Sequence, residues 1–342
     1  IWKQLLIFFF PIMLGTLVQQ FYTTVDTIIV GRFVGKAALA SVGGPAAVIA
    51  NIVITFFNGL ANGAAVIIAQ YYGSRDEKRL HVGLHTAYAF SIVTSIAVTV
   101  IGMIGTSYFL KWMNTPEDMM ADSTIYLRVY FFGIIFTLVY NMGAAIMRAA
   151  GDSRRPLLYL IVCSVMNIIL DIVMVVFLHM GIAGAALATV ISQCVSAVLV
   201  TYSLMHAYDV MKLKLRELRM NMSVLAKELK IGIPGALQAC AYGVTNVIIQ
   251  AVVNGFGTDT AAGWAAYGKL DMIFWTVNSA LGVAVTTFVG QNYGAGKMDR
   301  VYKSIRVNLG ISYLFNGVVL IVLYVFCEPL YHLFTTDQAV ID

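Results

Sequence analysis

Nine apolar stretches, each long enough to cross about 30 Å of hydrocarbon, constrain this chain more than any other feature. They fall near residues 5–31, 43–72, 83–110, 121–147, 156–178, 182–206, 231–254, 264–292 and 305–327. Backbone polar groups in lipid must be satisfied within the segment, so each stretch is expected as a transmembrane helix. Composition agrees. The 342 residues are 60% hydrophobic and 11% charged, against roughly 25% charged in a soluble domain. Mean hydropathy is +0.82. Gly is abundant, at 29 residues, which suits close helix contacts in lipid. The expected fold class is an all-α, multi-spanning membrane bundle.

Orientation follows from the placement of cations. Seventeen of the 22 Lys and Arg fall at the N-terminus or in alternate connections, near 75–79, 148–155, 212–230 and 297–306. The positive-inside rule puts those connections, and the N-terminus, in the cytoplasm of a cell (inner) membrane protein. Residues 113–122 carry Glu117, Asp118 and Asp122 without a cation, as an outer loop should. The first residues show no cleavage pattern of a signal peptide. The chain starts without Met and stops soon after a span, so it reads as a fragment.

The two halves repeat. Gln70, Tyr72, Gly73 and Arg79 end span 2 with Q-x-Y-G-x5-R, and Gln291, Tyr293, Gly294 and Arg300 end span 8 with the same pattern. Pro11 in span 1 corresponds to Pro234 in span 7. Six spans per unit give both units one orientation, as in transporters built from parallel repeats. The expected division is a first lobe of six helices at 1–207, a cytoplasmic connector at 208–230, and an incomplete second lobe of three helices at 231–342.

Polar groups inside the spans mark a site. Asp26, Asn167, Asp171 and Thr189 lie at one inferred depth, roughly 7–12 Å from the outer edge at about 1.5 Å per residue. An ionisable group in lipid is expensive, so its default reading is functional. Asn167 and Asp171 are four apart and share a helix face. Two carboxylates, an amide and a hydroxyl offer oxygens to a hard monovalent cation such as Na⁺. The same carboxylates can instead carry a proton. Hydrogen bonds between helices would account for the same residues without transport. Asp271 and Lys269 are two apart and do not share a face. The place matching Asp26 in the second half holds Ile249, so the ion site belongs to the first lobe.

A cavity between the lobes is expected to have a first wall of Gln19, Tyr22, Asn51, Asn58 and Tyr126. Its second wall is Tyr242, Asn246, Trp275 and Asn278. Pro11 offers a place to bend the first span.

Other chemistry is missing from the sequence. Gly31 to Lys36 falls short of a Walker A loop, with only three residues between Gly31 and Gly35 and Ala37 where Ser or Thr belongs. No H-E-x-x-H or G-x-S-x-G occurs, and His81 and His85 are a weak zinc pair. Ile169 and Leu170 precede Asp171 where an intramembrane aspartyl protease needs G-x-G. The four cysteines lie singly, without metal spacing. No enzyme activity, organic cofactor or nucleic-acid partner is expected, and a monomer is.

Together these residues resemble the multidrug and toxic compound extrusion (MATE) transporters. The features that carry the likeness are Pro11 with Asp26, Gly31 and Gly35, both Q-x-Y-G motifs, R-A-A-G-D-S-R-R-P from Arg148 to Pro156, and G-Q-N-Y-G from Gly290 to Gly294. The likeness implies a two-lobed bundle of about twelve helices, of which nine are present. It is nearest to the DinF-like branch, whose first-lobe site matches Asp26, Asn167, Asp171 and Thr189, with Tyr126 in the same cavity. The implied activity is export of organic compounds, cationic or amphipathic, in exchange for H⁺ or Na⁺. A lipid or lipid-linked saccharide flippase of the same wider superfamily is the alternative. It needs a more cationic cavity, for which Arg32 and Arg128 are the first-lobe candidates.

Overall fold

In the computed structural model the backbone is described for residues 1–206, 211–326 and 329. The side chains at 36, 37, 118, 254, 258, 259, 261, 262, 265, 266, 269 and 270 are outside the description. Lys269, residues 207–210 of the lobe boundary and the chain beyond 329 therefore lie outside the described residues.

The described chain is helical throughout. The helices are α1 (Trp2–Ile29), α2 (Lys36–Gly43), α3 (Pro45–Gly73), α4 (Glu77–Trp112), α5 (Glu117–Ala149), α6 (Arg154–Asp171), α7 (Gly181–His206), α8 (Met222–Asn254), α9 (Thr258–Gly294) and α10 (Met298–Val325). Nine segments are long and apolar enough to span a membrane, from Trp2–Val34 to Met298–Val325, and they coincide with the nine expected. The helix starts have local causes. Pro45 opens α3, where a missing N–H costs nothing. Asp76 caps α4 by accepting the Arg79 amide at 2.9 Å. Asn221 caps α8 by accepting the amides of Ser223 and Val224 at 3.1 and 3.2 Å. α1 continues unbroken through Pro11.

The first lobe packs α3, α4, α5 and α7 around Ile68, Leu84, Tyr88, Ile146, Met147, Val200 and Leu204, all fully buried. The Tyr88 hydroxyl bridges α4 to Thr201 of α7 at 2.5 Å. α1 lies between the lobes. Gly15 faces Leu157 and Leu160 of α6, while Phe9 packs with Val277, Ala280, Leu281 and Ala284 of α9.

The two Q-x-Y-G motifs meet each other. A Cβ on Gly73 would run into the Gln291 carbonyl, and a Cβ on Gly294 into the Gln70 carbonyl. α3 and α9 thus cross backbone to backbone at their last turns, at the end of the bundle rich in Lys and Arg. This contact gives the repeated motif a physical reason, because only glycine permits the approach. Gln291 adds a 2.7 Å bond from Nε2 to the Ala149 carbonyl. Further along, Gly63 meets Gly232 and Gly59 meets Ala236, closing α3 on α8. The far half of α8 has no such cover: every residue from Ala241 to Gln250 is exposed. The helices on either side are therefore joined at the basic end.

The connector expected at 208–230 is partly helical and partly docked. α8 already begins at Met222, and the preceding strap is docked on the first lobe. Met211 and Leu213 are buried. The Leu213 amide donates to the Leu204 carbonyl at 2.8 Å, the Lys214 amide to His85 Nε2 at 3.1 Å, and the Asn221 amide to Thr86 Oγ1 at 3.2 Å.

Candidate functional site

Asp26 sits one turn before the end of α1, and Asp171 is the last residue of α6. Beyond each acid the helix widens into a π-helical segment, Val30–Val34 and Ile172–Phe177, and these two segments pack together. π-helical turns recur at functional sites because they re-aim side chains and leave backbone carbonyls without regular partners. Ile29, Val30, Val175, Ile182 and Ala185 close the space with apolar surface.

Inside that wall the acids stand without partners. Asp171 is 0% and Asn167 1% exposed. Asp26 Oδ1, Asn167 Oδ1 and both Asp171 oxygens are buried and make no hydrogen bond among the described residues. Asn167 Nδ2 donates to Thr189 Oγ1 at 3.4 Å, and Thr189 Oγ1 donates to the Ala185 carbonyl at 3.1 Å. Asp26 and Asp171 are within electrostatic reach of each other, and Tyr126 of both. A buried carboxylate without a partner is costly, so the pair must be neutralised by a proton or a cation. Four buried oxygens without partners, on α1 and α6, are the kind of donor a hard monovalent ion takes.

The expected cavity residues part company. Two connected cavities lie between the lobes, sharing Asn62, Arg148, Ser279 and Val283. The smaller, of about 280 Å³, is lined by Pro11, Gln19 and Asn58. The larger, of about 860 Å³, is lined by Tyr242 and Trp275, whose rings lie 4.8 Å apart. Tyr22 and Tyr126 belong instead to the surroundings of Asp26. Asn278 is turned away: its amide pairs reciprocally with Asn316 of α10, at 3.1 and 3.3 Å. Asn51 and Asn246 are exposed and line neither cavity. Arg32 and Arg128 are likewise exposed and outside both.

Two residues were not foreseen. Arg148, counted with the basic loops, lines both cavities from the last turn of α5. Glu228, under two turns into α8 and within the expected connector, is 3% exposed in the α3–α8 crossing, and neither oxygen has a partner among the described residues. Its signal was an acid six residues before Pro234, inside a helix rather than a loop.

His81, His85 and Glu217 cluster closely enough to share a metal ion. Both His85 nitrogens are engaged, Nδ1 with the His81 carbonyl at 2.8 Å and Nε2 with the Lys214 amide. Glu217 is held by Lys214 Nζ at 2.8 Å and by His81 Nε2 at 3.1 Å. The cluster ties the connector to α4.

Comparison with known proteins follows this geometry. The chain is 31% identical over 348 residues to the probable multidrug resistance protein YoeA of Bacillus subtilis, covering 99% of this chain and 74% of the relative. It is 32% identical to YpnP of the same organism, called a probable multidrug resistance protein, over 98% of this chain and 75% of the relative. The fold matches a solved outward-facing multidrug resistance MATE family transporter of the MOP superfamily, with a TM-score of 0.89 at 24% identity, covering 99% of this chain and 76% of that one. The MatE family model matches residues 11–173 and 234–342, and with nine helices among its described residues long and apolar enough to span a membrane, this chain belongs to the MatE family of multi-pass membrane transporters.

Proposed function

We propose that this protein is a secondary active efflux transporter that exports small organic compounds in exchange for H⁺ or Na⁺ by alternating access. The basic end faces the cytoplasm, following the positive-inside rule. The observation that carries the reading is the buried, unpartnered Asp171 carboxylate with half-buried Asp26 near it, whose Oδ1 also lacks a partner, both set apart from the interlobe cavity. Acids that do not line the cargo space, yet must be neutralised, suit a coupling ion rather than cargo. The contact of α3 and α9 at Gly73 and Gly294 closes the basic end, as an outward-open state requires. Entry of a cation at Asp26 acts on α1, which touches both lobes.

The test is transport by the full-length protein in proteoliposomes under separately imposed pH and sodium gradients. Asp26→Asn and Asp171→Asn keep the shape and remove the ionisable oxygen. Each should abolish gradient-driven efflux while membrane insertion is kept. Thr189→Ala should weaken coupling less. Wild-type rates in both Asn variants under either gradient would refute the ion site.

A further inference from the structure

The interlobe cavity carries a charge of the same sign as the cationic cargo first expected. Seventeen described residues line the larger cavity, and Arg148 is the one charged residue among them. The smaller cavity is the same: Arg148 is charged and the rest are neutral. The Arg148 carbonyl accepts from the Gly151 amide at 2.8 Å, but its guanidinium makes no ion pair or hydrogen bond among the described residues. Tyr140, its neighbour in the smaller cavity, has its hydroxyl engaged with the Pro156 carbonyl at 3.0 Å.

The acids nearby do not compensate it. Asp152 accepts the amides of Arg154 and Arg155 at 3.1 Å and pairs with the Arg155 side chain at 3.5 Å. Glu228 lies in the α3–α8 crossing, and Asp26 and Asp171 lie in the first-lobe pocket; none lines either cavity. Asp271 stands one turn beyond Trp275 on α9, where it accepts from the Tyr267 hydroxyl at 3.3 Å, and it too is outside the lining. The Asp259 and Lys269 side chains fall outside the described residues.

We propose that this cavity binds an amphipathic organic anion, a planar aromatic body with a carboxylate or phosphate held by Arg148. The guanidinium offers five N–H donors in a fork that fits either group. In a low-dielectric cavity an unpaired guanidinium attracts an anion strongly and repels a cation. The aromatic body has its own platform in Tyr242 and Trp275 on the second-lobe wall. The same cavity is also lined by neutral donors and acceptors: Asn62, Gln238, Thr245, Ser279 and Thr287. A volume of about 860 Å³ suits a molecule of this size. The inference rests on the interlobe cavity being the cargo path of the proposed function. It does not rest on ion coupling.

The experiment is equilibrium binding to the full-length protein in nanodiscs, without any gradient, read by fluorescence anisotropy. Fluorescein and rhodamine 6G share a three-ring xanthene and differ in charge, the first anionic and the second cationic. The wild type should bind fluorescein about tenfold or more tightly than rhodamine 6G. Arg148→Gln should weaken fluorescein by roughly 10–100-fold, the worth of a charged hydrogen bond, and leave rhodamine 6G unchanged or tighter. Arg148→Lys, which keeps the charge but not the fork, should retain part of the fluorescein affinity. Tighter binding of rhodamine 6G by the wild type overturns the proposal, as does equal weakening of both dyes in Arg148→Gln. Should Arg148→Gln fail to fold, the wild-type preference and Arg148→Lys still decide. Loss of gradient-driven transport with the anion preference intact would count against the ion coupling alone.

Discussion

Gly73→Ala places a methyl group where the α3 and α9 backbones touch, and should shift the protein out of the state described here. The added Cβ meets the Gln291 carbonyl, a backbone atom that cannot rotate away. The whole crossing must open instead. That crossing also includes Gly294 against Gln70 and Gly290 against Ala69. Overpacking a close contact costs about 1–3 kcal/mol. Falling on one conformer alone, this penalty changes the equilibrium by roughly 5–150-fold. Gly294→Ala strikes the same crossing from the other helix, so the double variant should cost less than both singles added. Spin labels at Ser74 and Lys297, both exposed beside the crossing, report its opening by their distance distribution. The wild type should give a dominant short distance, and Gly73→Ala a dominant long one. An unchanged distribution in Gly73→Ala would show that this crossing is no conformational contact. Strict additivity in the double variant would refute a shared steric cause.

Two further outcomes are expected. Cysteines at Arg75 and Lys297, exposed at the basic end, should react in intact cells with membrane-permeant thiol reagents only, and labelling by an impermeant reagent would reverse the orientation; Ser153 and Ser304 are buried and would report poorly. The Lys214 ammonium holds the Glu217 carboxyl below the usual glutamate range, so its contribution to connector docking is complete above about pH 4.3 and fades as pH falls through the lowered value. Hydrogen exchange at residues 211–221 should therefore show no Glu217-dependent loosening between pH 8 and 5, and a Glu217→Gln variant that exchanges like wild type throughout that window would show that the carboxylate contributes nothing.

The spans were legible because insertion chemistry is local: each run of apolar residues states its own fate, and all nine appear as helices. The repeat was legible too, although its purpose was not. Nothing in Q-x-Y-G says that two copies will pack on each other. The depth of Asn167 and Thr189 could be counted along the helices, and they do lie within hydrogen-bond distance. Facing could not be read. Helices in lipid are apolar on every side, so the periodicity that orients a soluble helix is absent. Asn278 therefore looked like a cavity residue, when its partner Asn316 lies on α10. Arg148 looked like a loop cation for a related reason. Charge counting assigns a residue to an end of a helix and says nothing of whether its side chain turns into the bundle. The docked connector depends on His85 and Thr86, more than 120 residues earlier in the chain, and had no local signature.

Coupling between the first-lobe acids and the interlobe cavity has one plain physical route. α1 carries Asp26 near one end, Gln19 in the wall of the smaller cavity, and Phe9 packed into α9 near the other. Gly15 seats the same helix on α6, the helix of Asn167 and Asp171. Under the proposed function, a cation held jointly by Asp26 and Asp171 would draw the ends of α1 and α6 together and so change the surface α1 offers to α9. An ion can bias such an equilibrium only by the difference in its affinity for the two states. α1 supplies that difference only if its outer end moves relative to α6 when the lobes rearrange. The π-helical segments that follow both acids are the places where this displacement costs least, because their hydrogen bonding already departs from the α pattern.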